Sequence, residues 1–310
     1  MTIDTLSDVA LLRIFDFYLH DPHDTWIEAW RTLVYVCRYW RNVVFGSPRR
    51  LGVRLLCTAR TAVREKLDPW PQLPIVVRGE NYPDESWGMD NVIAALKYND
   101  RICDVDLREV ICSLMEKVLP EMLKPFPALT HLALGSDHDY TVAAPVLPAS
   151  FLGGSAPRLR TLILERMPFP GLPNLLSSAT HLFHLDILRI PQSGYISPEV
   201  MATCLSSLTR LERLDISLES RQILPPRRPP PQRRILLPIL NRLVFIGFCE
   251  YMEDFVAQID APLLGDLRIC LFYQDTFNTS QLAQFVDRTS NYKPPHGILF
   301  TTSQPVWVLS

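Results

Sequence analysis

Glycine is scarce in this chain, 12 of 310 residues, and nowhere does it form a loop that would cradle a phosphate. The sequence has no G-x-x-x-x-G-K-[ST], no G-x-G-x-x-G, no G-x-S-x-G and no H-E-x-x-H. Those absences exclude the common nucleotide sites, the nucleophile elbow and the zinc-protease helix. Charge of either sign is not in excess, since 31 Lys and Arg face 33 Asp and Glu for a net charge of −2. No global field therefore advertises nucleic acid or an anionic membrane as partner. No apolar run is long enough to span a bilayer, and Met1-Thr2-Ile3-Asp4 lacks the basic-then-apolar pattern of a secretory leader. The seven cysteines, Cys37, Cys57, Cys103, Cys112, Cys204, Cys249 and Cys270, are odd in number, scattered and free of any C-x-x-C pair. They read as reduced thiols of a cytoplasmic or nuclear protein, with no structural zinc.

Chemistry-bearing clusters are few. His20, Asp21, His23 and Asp24 come nearest to a metal set, but Pro22 places them in a turn where polar residues belong anyway. Cys37 could be imagined with His131 or His184 as nucleophile and base, yet it lies on an apolar helical stripe, where a buried thiol is expected. No catalytic residue, metal site or cofactor is assigned, and the chain is not expected to be an enzyme. With 47% hydrophobic and 21% charged residues it has the composition of a globular protein able to bury a sizeable core.

The first 48 residues differ from the rest. Leu11, Ile14, Phe15, Tyr18 and Leu19 recur at helical spacing and predict one apolar helix face. After a polar turn, Thr25 and Glu28 form a capping-box pair, and Trp26, Trp30, Leu33, Cys37, Trp40 and Val44 mark a second helical run. Gly46-Ser47-Pro48 ends it. Such a helical hairpin or trihelical unit is too small for a large core and should lean on a neighbour.

These residues resemble an F-box. Leu6, Leu11, Ile14 and Phe15 match its opening helix, and Val36, Cys37, Arg38, Trp40 and Arg41 match its closing Val-Cys-Arg-x-Trp-Arg run. Ser7 stands where the family usually has proline and Val9 where it has an acidic residue. The resemblance implies docking on a Skp-family adaptor, and through it a cullin ubiquitin ligase. The adaptor contacts it implies are Leu6, Ser7, Leu11, Leu12, Ile14, Phe15, Val36, Cys37 and Trp40.

The body carries a repeat. An apolar-x-x-apolar-x-apolar triplet starts at Ile102, Leu129, Leu159, Leu182, Leu211, Leu240 and Leu264, at intervals of 27, 30, 23, 29, 29 and 24 residues. Each triplet predicts a short strand of period two. Helical patterns lie between, at 92–98, 114–123, 198–208, 252–259 and 281–287. Leu51/Val53/Leu55 and Ile75/Val77 predict earlier strands, and 298–300 and 306–308 possible closing ones. One strand and one helical return per repeat is the pattern of a leucine-rich repeat array. The expected fold is thus α/β: an F-box-like helical unit over 1–48, then over 49–310 a leucine-rich repeat solenoid with a parallel concave sheet.

In irregular leucine-rich repeats of this sort, as in the fungal F-box proteins that the whole chain resembles, the outward strand residues line the partner-binding face. Here they include Asp104, Asp106, His131, Thr161, Glu165, His184, Asp186, Arg213, Asp215, Arg242, Asp266 and Arg268. The mixed charge suits a protein target, and a small molecule in the arc stays open. The basic proline-rich stretch 224–234 is expected to be a solvated loop. The implied role is substrate receptor of a Skp-cullin-F-box ligase. The alternative is a ligase-independent repeat scaffold whose F-box-like head is a structural cap.

Overall fold

The computed structural model describes residues 6–19, 27–79, 88–136, 144–219, 234–272, 279–289, 298–301 and 306–309. The chain divides into two compact units, Met1–Asp104 and Val105–Ser310.

The first unit opens with α1 (Asp8–Leu19), α2 (Trp30–Val36) and α3 (Arg38–Gly46). Ser7 Oγ accepts the Ala10 N–H at 3.3 Å and so caps the first turn of α1. α1 buries Leu11, Leu12 and Phe15, whereas Ile14 and Tyr18 turn outward. The five-residue apolar face is thus split, because the helix packs on α3 along a strip centred on Phe15, whose ring meets Trp40 edge-on at 4.8 Å. The second helical run is also divided. Cys37 is extended (φ −158°, ψ 171°), and its Sγ accepts the Trp40 N–H at 3.5 Å, so α2 ends and α3 starts at one residue.

The three helices lean on the rest of the unit, namely β1 (Leu55–Thr58), α4 (Val63–Leu67), β2 (Ile75–Arg78), α5 (Met89–Leu96) and the start of β3 (Ile102–Val110). Trp30 is buried and its Nε1–H donates to the Arg54 carbonyl at 2.8 Å. Glu28 pairs with Arg31 and Lys66 and accepts the Leu56 N–H. β1 and β2 pair in parallel, Leu55 opposite Ile75, and β2 neighbours β3. β1 begins at Leu55. Leu51 and Val53, expected in the strand, sit in a turn whose N–H groups donate to Ser47 and Pro48 carbonyls, although both side chains are buried. Gly88 has φ +90°, and a Cβ there would run into the Ala59 carbonyl, so no other residue fits this turn into α5.

The second unit continues β3 and adds α6 (Cys112–Val118), β4 (His131–Ser136), β5 (Thr161–Glu165), α7 (Leu172–Ser178), β6 (His184–Ile190), α8 (Pro198–Leu205) and β7 (Arg213–Leu218). Then come β8 (Ile235–Leu236), β9 (Arg242–Gly247), α9 (Cys249–Val256), β10 (Ile259–Asp260), β11 (Asp266–Leu271), α10 (Ser280–Arg288), β12 (Ile298–Thr301) and β13 (Val306–Leu309). Strand order is β3-β4-β5-β6-β7-β9-β11-β13-β12. The chain is mixed α/β, with β1 to β7, β9 and β11 as nine parallel strands. β13 runs antiparallel to β11, and β12 antiparallel to β13. The expected closing strands therefore form, as a hairpin on the last parallel strand.

A single turn sets the register of the repeat. The N–H of Leu129, Leu159, Leu182, Leu211, Leu240 and Leu264 donates to the carbonyl three residues earlier, of Phe126, Ala156, Ala179, Leu208, Leu237 and Ala261. Proline follows that carbonyl residue at 127, 157, 238 and 262, where its fixed φ suits the second position of a turn. Two residues after each buried leucine the strand begins. The Thr130 carbonyl then accepts from both Arg160 and Thr161, that of Arg160 from Phe183 and His184, that of Phe183 from Glu212 and Arg213, and that of Glu212 from Asn241 and Arg242. Neighbouring strands are thereby locked at their first residue, Thr161 opposite His184, His184 opposite Arg213 and Arg213 opposite Arg242.

Candidate recognition face

Alternation along β5, β6, β7, β9 and β11 sends Leu162/Leu164, Leu185/Ile187, Leu214/Ile216, Leu243/Phe245 and Leu267/Ile269 into the core. Most of the intervening residues form one polar face. His184 Nε2 and Asp186 Oδ1 lie 2.8 Å apart on β6, and Asp186 stands opposite Asp215 on β7. Burial, and then the Asp186 charge, push the Asp215 carboxyl above the usual Asp range, against the pull of Arg242 and His184. Arg242 lies between two carboxylates, 3.8 Å from Asp215 and 3.3 Å from Asp266, and Arg268 pairs with Asp266 at 3.0 Å. Glu165 pairs with Arg189 at 3.2 Å.

His184, Asp186, Arg213, Asp215, Arg242, Asp266 and Arg268 lie on the adjacent strands β6, β7, β9 and β11, with His131 on β4 and Glu165 on β5. Thr161 is on the same face but buried. Asp106 pairs with Arg108 on β3. Asp104 belongs to the first unit, where it is 7% exposed and takes a bidentate Arg78 at 2.5 and 2.9 Å. It is an internal ion pair, in which the half-buried Arg78 supplies the partner that the buried Asp104 carboxylate needs.

In the head, Leu11, Leu12 and Phe15 are core residues. Leu6, Cys37 and Trp40 are half-buried, and Ser7, Ile14 and Val36 are exposed. Large apolar side chains nonetheless stand in solvent here: Phe17 is 89% exposed, Tyr35 67%, Val9 58% and Val36 55%.

Sequence reasoning overlooked the residues that precede the strands. One residue before β4, β5, β6 and β7 stand Thr130, Arg160, Phe183 and Glu212; three residues before β5, β6, β7 and β9 stand Arg158, His181, Arg210 and Ile239. These two rows line an open groove of about 610 Å³. The repeated turn, with a variable residue just before each leucine, is the signal that would have found them.

Among the described residues no group of three or more His, Cys, Asp or Glu could hold a metal ion, and no helix is long and apolar enough to cross a membrane. Burial pushes the Cys57 thiol up to about 11 and raises Cys103, Cys204 and Cys270 as well. These thiols stay protonated at neutral pH and are poor nucleophiles. The 20–24 turn, Thr25 and Trp26 of the second helical run, and the 224–234 stretch except Arg234, lie outside the described residues; Arg234 Nε donates to the Ala257 carbonyl at 3.3 Å. The chain matches no protein-family model, and no curated protein sequence matches it.

Proposed function

We propose that the chain is the substrate receptor of a Skp-cullin-F-box ubiquitin ligase, with an F-box-like head docking the adaptor and a leucine-rich repeat sheet presenting a protein target. The observation that carries this reading is the apolar surface of the head. Ile14, Phe17 and Tyr18 sit at i, i+3 and i+4 on α1, all at least 45% exposed, and Tyr35 and Val36 are exposed at the end of α2. A helical head that leaves this much large apolar surface in water is suited to a protein partner. Leu11, Leu12 and Phe15 support the docking helix from inside, and Ser7, Ile14 and Val36 are reachable. In this role the subunit binds, and the transfer chemistry belongs to the assembled ligase.

A second reading treats the head as a structural cap on a ligase-independent scaffold. It draws on Glu28, Trp30 and Trp70, which tie the helices to β1 and α4, with Trp30 and Trp70 edge-on at 5.0 Å. For the same reason deleting the head would strip the first unit of packing, and point variants are the cleaner test. The full chain and Phe17→Asp/Val36→Asp are each co-expressed with a Skp-type adaptor, with circular dichroism confirming that both fold. Stoichiometric co-purification of the wild type, lost in the variant, is the expected result. A folded wild type that leaves the adaptor behind overturns the ligase reading and favours the cap.

A further inference from the structure

The groove at the start of the strands differs from the strand face in one respect that decides what it can hold. On the face, Arg242, Arg268 and Arg189 are each paired with an aspartate or glutamate, and Arg213, at the edge next to the groove, is the exception among the described face arginines. In the groove, Arg158, Arg160 and Arg210 form no ion pair with any described carboxylate, and all three are exposed. Arg210 Nη1 instead lies 3.5 Å from His181 Nδ1. Among the described lining residues three arginines face one carboxylate, Glu212, so these residues carry a net positive charge without counting His181. The chain as a whole is at −2. Among the described residues this positive charge has no carboxylate paired with it.

The arrangement is also ordered. Arg158, His181 and Arg210 occupy the same turn position on three adjacent strands, about 4.8 Å apart per strand, so they form a row about 10 Å long. The carbonyl ladder of Thr130, Arg160, Phe183 and Glu212 fixes the backbone beneath them. Phe183, 37% exposed, and Ile239, 36% exposed, put apolar surface beside the charges. A row of this length is too long for one small oxyanion, whereas an extended chain can bring several carboxylates along it. Arginine forks bind carboxylates bidentately.

We propose that this groove binds an extended acidic segment of a partner protein, with its carboxylates on the Arg158, His181 and Arg210 row and an apolar residue against Ile239. The inference rests on the receptor reading in taking the partner to be a protein, but it needs no adaptor.

The test uses the full chain and a fluorescein-labelled peptide alternating Asp and Ser and ending in Leu, read by anisotropy at low and high salt. The Asp peptide is expected to bind and to weaken as salt screens it, while its Asn counterpart does not bind. Arg158→Gln/Arg210→Gln should weaken binding by roughly tenfold or more. Lys117→Gln/Lys124→Gln, the same loss of charge at exposed positions elsewhere in the unit, should change it by less than about twofold. All four substituted residues are exposed, so the variants should keep the wild-type melting temperature. Equal loss in both double variants, or none in either, overturns the proposal. So does displacement of the peptide by inorganic pyrophosphate at matched charge, which would make this a small-oxyanion site. Tighter binding of single-stranded DNA with the same arginine dependence also overturns it. Adaptor is absent from the assay, so failure of the ligase reading and failure of this one are separate results.

Discussion

Asp215 stands on the polar face where its charged form is disfavoured. Its Oδ1 is buried without a hydrogen-bond donor, Asp186 stands opposite, and Arg242 is 3.8 Å away, beyond hydrogen-bonding reach. A carboxyl whose pKa is raised in the folded state binds its proton more tightly folded than unfolded. Its contribution to stability is present below the ordinary Asp range and is lost as pH rises through the raised value. At neutral pH the ionised form is therefore a liability. Asp215→Asn is expected to melt at a higher temperature than wild type at pH 7, the gap closing as pH falls towards the ordinary Asp range. Melting curves over that window check it; a variant less stable at every pH would mean that the Arg242 pairing outweighs burial. The sequence made this position legible as outward-facing through strand alternation. It could not show that Asp186 would be its neighbour, because cross-strand register depends on turns in two different repeats.

At the scale of elements, α10 takes its N-terminal cap from another helix, α9. Its first turn has no capping side chain of its own, since Thr279 makes no cap hydrogen bond. The carboxylate of Glu253, on α9 and 2% exposed, accepts the Gln281 and Leu282 N–H groups, each at 2.8 Å. A negative group at a helix N-terminus satisfies orphan donors and opposes the helix dipole favourably. Glu253→Ala leaves the buried Leu282 donor and the half-buried Gln281 donor without this acceptor and is expected to cost about 1–3 kcal/mol in chemical denaturation, with Glu253→Gln retaining part of it. A loss below about 0.5 kcal/mol would mean that water replaces the cap. Sequence placed α10 at 281–287 from its apolar spacing and missed the cap, which lies 28 residues from Gln281. The same limit explains the break at Cys37. A stripe at alternating steps of three and four is satisfied equally by one helix or by two joined through a single extended residue. A thiol that can cap the second helix is not a signal that periodicity reads.

For the molecule as a whole, the body was more legible than the head. Strands of period two with a leucine-initiated turn leave a regular mark, and each of the seven triplets contributes to a strand or to the turn leading into it. The head depends on contacts made outside its own helices, such as Trp30 with Arg54, so its own pattern blurred which face was core. The cysteines test the whole structure at once. Cys57, Cys112, Cys204 and Cys249 are buried, and Cys37, Cys103 and Cys270 half-buried. Burial raises four of the seven thiols, so that even Cys103 and Cys270, which water reaches in part, are mostly protonated near pH 8. Because the thiolate is the reacting form, a disulfide-exchange reagent at that pH should modify the native protein slowly and at no more than the three half-buried sites. All seven should react at once in guanidinium. Both units contain reporters, so the order in which thiols appear along a denaturant gradient reads which unit opens first. Rapid modification of the buried four in buffer would instead mean that the packed strands and helices open on the timescale of the reaction.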